Sequence, residues 1–488
     1  MSLLKATAKG VAWTTVSTVV RSVVSLLQVA ILTRFLDKSD FGIVAIATLF
    51  LGFTQIFLDL GISAGIMHKQ DTTPQQYSSL FWLNIIMGVL LTGILCACSP
   101  LVTLAYHEPS LTKIISWLSL TVFFSALGSQ HRTVQQKKMR FKYISLVEIS
   151  TSVLSMALAV FLAYLNYGVY SLVYANVFNA ASVGFLFLCI GLYHDRNISF
   201  HFKLSETYDY LKIGIFSIGS QVLDYFSQEL DILIISATLG KEVTGLYSLC
   251  KKLVTSLYGM MNSIVSKVIT PVFAVIQKEK VRVSQLYNDI VESLAMVNMP
   301  IYCLIAIFAT DILKCLYGEQ YIDGALVMSF MALTYGVNTT SNPVGSLQIA
   351  MGRTDYGFYW TILRIITTSI AIFIGAQFSI SAIALSLFIL NFVLHPLFWR
   401  ITIQPLIGGG YCEFFKVSLL ICIVVIMSTL PLYFFCHNMT SMLLCLLIGL
   451  LYIVIYMFVL IRYFPNAYIV NMFTSRIMPW LKNRVKGG

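Results

Sequence analysis

Five polar residues interrupt a largely apolar stretch of the chain: Ser217, Gln221, Asp224, Gln228 and Asp231. Their steps of 4, 3, 4 and 3 place all five on one stripe of a helix. A second stripe lies 203 positions earlier, with no gap: Thr14, Thr18, Arg21, Ser25 and Gln28. The register continues beyond both, because Leu36, Lys38 and Gly42 match Leu239, Lys241 and Gly245. Agreement over this length points to an internal duplication, with two helices facing a shared polar space. Duplicated halves are a mark of transporters.

The chemistry available on these stripes is charge recognition in a poorly solvated place. A charge at mid-bilayer costs about 2.5–3.5 kcal/mol on insertion scales, so it should face a partner or a water-filled cavity. Arg21, Asp224 and Arg364 each fall near the middle of an apolar run. Arg21 and Asp224 hold equivalent places in the two copies. Two readings are open: an ion pair between them that latches one state, or Arg21 and Arg364 offering guanidinium forks to a phosphate or an acidic sugar. Gln28, Gln221 and Gln228 would add neutral donors and acceptors to such a cavity. Lys251 and Lys252 point about 100° apart on a helix, so one of them, taken as Lys252, would face it. Asp231 and Asp224 are candidates for coupling to H+ or Na+, with interhelical hydrogen bonding as the plainer role for Asp231. Glu148 and Asp59 read as solvated or paired residues at span ends. The basic cluster His131–Lys142 reads as an anchor beside anionic headgroups, or as an attractor for an anionic lipid substrate.

The elements that position these residues follow from composition. Of 488 residues, 58% are hydrophobic and 11% are charged, against about 25% charged in a soluble domain. Apolar runs of about 20 residues recur throughout, so the fold class is an all-α polytopic membrane protein. About fourteen transmembrane helices are expected, as two pseudo-symmetric six-helix lobes plus two C-terminal helices. The expected boundaries are an N-lobe over 1–195, a cytoplasmic linker over 196–212, a C-lobe over 213–404, two further spans over 405–464 and a surface tail over 465–488. Loops on one side carry 22 of the 32 Lys and Arg and loops on the other carry 5. That bias places both termini in the cytoplasm, and it assigns the net charge of +11 to topology rather than to nucleic-acid binding.

Several classes are set aside. No G-x-x-x-x-G-K-[ST] or H-E-x-x-H motif occurs, so neither that nucleotide loop nor that metal-hydrolase site is expected. The outer loops are short and offer no platform for a catalytic domain. The chain reads as a non-enzyme with no catalytic residue, cofactor or metal. The ten Cys lie mostly in apolar runs without metal or disulfide spacing and read as packing residues.

Ordered segments then carry a resemblance. LTRFLDKSDFGIVAIA from Leu32, FLDLGISAGIMHKQD from Phe57, QQKKMRFKYISLVEI from Gln135, YFSQELDILIISATLGKEVTGLYS from Tyr225, PVFAVIQKEKVR from Pro271 and IAMGRTDYGFYW from Ile349 resemble the bacterial polysaccharide and lipid-linked oligosaccharide exporters, the Wzx-type flippases. The branch they are most similar to is that of the colanic-acid and teichuronic-acid exporters, although the proline common in the first loop is Ser39 here. The resemblance implies alternating access and a glycan on a polyprenyl pyrophosphate moved to the outer leaflet. It also implies a bacterial inner-membrane location, and the polymerase and glycosyltransferases of the same pathway as partners. Arg21 and Arg364 would line the central cavity. A cation-coupled multidrug exporter and a lipid II-type flippase share the fold and stay open as alternatives. A membrane-embedded glycosyltransferase is a more distant one.

Overall fold

The computed structural model describes residues 3–69, 71–194 and 199–411, together with six isolated positions between 419 and 462. Most of the last two expected spans, and the tail, therefore lie outside the described residues. The described chain is helical: α1 (Leu3–Leu32), α2 (Lys38–Leu58), α3 (Ile62–His68), α4 (Pro74–Tyr106), α5 (Ser110–Lys137), α6 (Phe141–Tyr164), α7 (Tyr170–His194), α8 (Tyr208–Ile276), α9 (Lys280–Ile307), α10 (Ala309–Leu316), α11 (Ala325–Ser341), α12 (Pro343–Met351), α13 (Asp355–Ala376), α14 (Ile380–Phe398) and α15 (Gln404–Ile407). Helices satisfy their backbone groups internally, which is the condition for crossing hydrocarbon.

Ten of these stretches, among the described residues, are long and apolar enough to cross a membrane. One, Ile218–Asn262, is 45 residues long and carries Gln221, Asp224, Gln228 and Asp231 of the later polar stripe. It is interrupted at Gly240, whose φ of 80° and ψ of 179° no helix tolerates. Glycine reaches that backbone conformation without steric cost. The apolar stretch 324–351 is broken between α11 and α12, where Pro343 opens a new helix.

Local signals set the helix starts. Before α4, Thr73 accepts the Gln76 N–H at 3.3 Å, and the Gln76 side chain accepts the Thr73 N–H at 3.0 Å, with Pro74 as the first helical residue. This reciprocal capping box satisfies two otherwise orphaned donors. Before α2, Asp40 accepts the Asp37 N–H at 3.3 Å.

The described residues form two compact units. The first draws on Met1–Met260, Lys314–Tyr321 and Thr361–Ile383, and the second on Met261–Leu313, Ile322–Trp360 and Ala384–Gly488. In the first unit a core of Ile43, Ile46, Ala47, Leu91, Ile114, Leu118 and Val122 joins α2, α4 and α5. The end of α10 and the segment after it clamp the turn between α1 and α2: Arg34 donates to the Cys315 carbonyl at 2.8 Å and Tyr321 to that of Leu36 at 3.0 Å. In the second unit Phe273, Tyr287, Val291, Leu347, Trp399 and Ile403 pack together. His395 lies buried there, its Nδ1 3.1 Å from the Tyr411 hydroxyl.

The duplicated segments meet inside the first unit. A methyl built on Gly42 would stand 1.8 Å from the Lys241 carbonyl oxygen, and one built on Gly245 would stand 1.9 Å from that of Lys38. Each copy's glycine receives the other copy's lysine carbonyl, which is the reciprocity of a two-fold contact.

Candidate functional site

The first unit holds a cavity of about 770 Å³, within the size range of small-molecule sites. Four of the five stripe residues of α1 line it: Thr18, Arg21, Ser25 and Gln28. The α-helical steps that defined the stripe are why they share one wall. Thr48 and Gly52 of α2, Ser152 and Ser155 of α6, and Asn176 and Asn179 of α7 add to it. The two arms of α8 close it with Tyr225 and Glu229 before Gly240, and with Lys251, Lys252, Thr255 and Ser256 after it. Tyr225 donates to the Leu49 carbonyl, and Gly52 leaves room for its ring.

The two lysines take different roles. Lys251 is buried, with Nζ 2.8 Å from Asp231 Oδ1, 3.2 Å from Glu229 Oε2 and 2.5 Å from the Gln228 carbonyl oxygen. Tyr247 holds the other Asp231 oxygen at 2.8 Å. Lys252 is exposed on the cavity wall and has no carboxylate partner among the described residues. Both lysines border the cavity, where one was expected, yet only Lys252 offers it an open charge.

Arg21 pairs with Glu148 of α6, Nη1 to Oε2, at 2.9 Å. The pairing with Asp224 weighed from the repeat is thus not the one formed here. Arg132 of α5 places Nε and Nη2 on the other carboxylate oxygen, Oε1, at 3.0 and 2.8 Å. Two guanidiniums therefore share one carboxylate. This trio borders a second cavity of about 610 Å³, which has Arg21, Thr48, Asn176 and Asn179 in common with the first.

The stripe on α8 fares differently from its copy. Gln221, Asp224, Gln228 and Asp231 line neither cavity, and the wall is formed by Tyr225, Glu229 and Ile232 one register along. Asp224 and Gln228 are exposed, and the charge of Arg364, itself exposed, acts on Asp224. Arg364 also lines neither cavity, and the side chain of Ser217 is outside the described residues. Sequence reasoning missed Glu229, although the cost of a mid-span charge that singled out Asp224 applies to it equally. It also missed Asn176 and Asn179, two amides one helical turn apart in an apolar run. Among the described residues no group of three or more His, Cys, Asp or Glu is placed to hold a metal ion.

Helices in two compact units, ten of them among the described residues long enough to span, and a polar cavity bearing open cations define a polytopic membrane protein of transporter architecture. The chain belongs to the polysaccharide biosynthesis protein family, whose model matches residues 31–325. It is 26% identical to the teichuronic acid biosynthesis protein TuaB of Bacillus subtilis over 77% of this chain and 78% of the relative. It is 25% identical to the lipopolysaccharide biosynthesis protein WzxC of Escherichia coli over 85% and 84%. Among solved structures it is similar to the lipid II flippase MurJ in an inward closed conformation, with a TM-score of 0.71 at 13% identity over 92% of this chain and 98% of that one. A multidrug resistance transporter of the MATE family in an inward-facing conformation gives a TM-score of 0.60 at 13% identity, over 82% and 99%. At these identities the two structures speak for the fold. The resemblance read from the ordered segments is to the family that the chain belongs to.

Proposed function

We propose that this chain is a transporter that moves an oligosaccharide carried on a polyprenyl pyrophosphate from the cytoplasmic to the outer leaflet, for surface polysaccharide export. The observation that carries the reading is the cavity of about 770 Å³ in which Arg21 and Lys252 stand open among hydroxyl and carboxamide groups. A pyrophosphate-glycan headgroup cannot cross hydrocarbon unaided, because its charges and hydroxyls would lose their water. Cations and amides in a cavity replace that hydration, while the polyprenyl tail stays in lipid. The names of the relatives, a teichuronic acid and a lipopolysaccharide biosynthesis protein, support this substrate class.

Two six-helix lobes, 1–195 and 213–404, would rock to open the cavity to each side in turn. The membrane is the bacterial cytoplasmic membrane, with both termini on its cytoplasmic side by the lysine and arginine bias. The polymerase and glycosyltransferases of the same pathway would be the partners. For coupling to H+ or Na+, Asp224 is the better placed carboxylate: it is exposed, whereas Lys251 and Tyr247 already occupy Asp231.

The test is the leaflet distribution of a polyprenyl-pyrophosphate oligosaccharide in proteoliposomes. Wild type should move it, and Arg21→Ala and Lys252→Ala should each slow it. A wild-type protein that leaves the lipid in place but exports a small cation would sink the reading in favour of a drug exporter.

A further inference from the structure

The trio of Arg21, Glu148 and Arg132 is arranged as an anion site with a stand-in already seated. The carboxylate is mostly buried, with its side chain 11% exposed, whereas the two guanidiniums are 48% and 45% exposed. Glu148 Oε1 takes both bonds from Arg132, and Oε2 takes those of Arg21 and Ser17, the latter at 3.3 Å. Among the described residues, Arg21 Nε and Nη2 and Arg132 Nη1 bond to nothing. Two cations against one anion leave a net charge of +1, and no other ionisable group lines the second cavity.

The rest of that cavity is polar in a neutral way. Gln55 and Asn176 are exposed, and their carboxamides have no partner among the described residues. Asn179 Oδ1 is buried without a hydrogen-bond partner. Ser125 and Thr151 add hydroxyls. Amides that lack partners suit a ligand rich in hydroxyl groups, and forked guanidiniums suit a carboxylate. The volume of about 610 Å³ is that of a ligand site rather than a packing void.

We infer that this second cavity binds an acidic sugar of the transported glycan, whose carboxylate displaces Glu148 from the open faces of Arg21 and Arg132. The origin of the ligand rests on the transport reading above; the binding chemistry does not. Guanidinium forks also suit a phosphate, but the pyrophosphate of the lipid falls to the first cavity with its Lys252, so the test must separate the two anions.

Full-length protein in nanodiscs is titrated with three probes: a disaccharide bearing one glucuronate, its carboxyl-reduced neutral form, and inorganic pyrophosphate. Wild type should prefer the acidic disaccharide by roughly ten- to a hundredfold, the range of a charge-assisted hydrogen bond. Arg132→Gln should erase that preference and leave pyrophosphate binding in place. Ser125→Phe, which fills the pocket, should weaken both disaccharides and not pyrophosphate. Glu148→Gln should strengthen binding of the acidic probe, because the stand-in no longer competes. A merely structural role for Glu148 would weaken it instead, and that result would overturn the proposal. So would an acidic preference that is absent or survives Arg132→Gln, or pyrophosphate binding that falls with the same variants. Translocation is measured in parallel with the lipid-linked glycan. If translocation fails while the acidic preference holds, the transport reading falls and the anion pocket stands.

Discussion

The two charge centres of the first unit have opposite compositions. On the α1 side, Arg21 and Arg132 share Glu148, with the carboxylate enclosed and the cations open. On the α8 side, Glu229 and Asp231 share Lys251, whose side chain is 10% exposed against 31% and 15% for the acids. Both centres stem from the same duplicated helix, yet one presents positive charge to a cavity and the other encloses it. A buried centre holds helices together, because removing one partner strands the others without water. An open centre can exchange its partner for a ligand. The difference assigns structure to the α8 centre and recognition to the α1 centre.

The largest effect should come from Lys251→Met, which leaves Glu229 and Asp231 without their cation. The expected loss is about 3–5 kcal/mol, read as a lower melting temperature in detergent. Adding Glu229→Gln and Asp231→Asn should recover much of it. If Lys251→Met melts like wild type, the α8 centre is not structural and the contrast fails.

Next in size is the reciprocal glycine contact. Gly42→Ala and Gly245→Ala each force a methyl onto a carbonyl of the other copy, at about 1–3 kcal/mol. The two losses should be similar, and a large inequality would show that the repeats do not meet symmetrically.

Arg21→Gln should cost about 0–1 kcal/mol of stability, since the side chain is half exposed. Its effect should appear in translocation instead. A melting temperature that drops as far as with Lys251→Met would erase the distinction between the centres.

The smallest effect concerns the ion pair of Glu108 with Lys241, at 2.6 Å. The hydrogen bond from Lys241 holds the Glu108 carboxyl below its ordinary value of 4.5. The pair therefore contributes stability above that value and loses it as pH falls through the lowered one. The contribution is at most about 1 kcal/mol. Melting temperature followed from pH 6 to pH 3 should fall less for Glu108→Gln than for wild type over that window.

Much of this was legible in the sequence. Steps of three and four along α1 put Thr18, Arg21, Ser25 and Gln28 on one wall, as the structure has them. The offset that paired Lys38 and Gly42 with Lys241 and Gly245 proved to be a physical contact. The same steps failed on α8, where the wall is carried by Tyr225 and Glu229. A period fixes which residues share a face, and says nothing about what that face meets. Glu148 reads as a span-end residue and Arg132 as part of a basic anchor, because each lies in its own segment. Their shared ion pair with Arg21 exists only once α1, α5 and α6 pack.

The sequence by itself determined the fold class, the repeat and the family, because each rests on local composition, spacing or ordered segments. The tertiary structure alone decided the partners of the charges. It gave Arg21 to Glu148 rather than Asp224, seated Lys251 among acids and left Lys252 open. Ion pairing depends on distances of a few ångströms between residues on different helices, as far as 127 positions apart for Arg21 and Glu148. No spacing along the chain encodes such a distance.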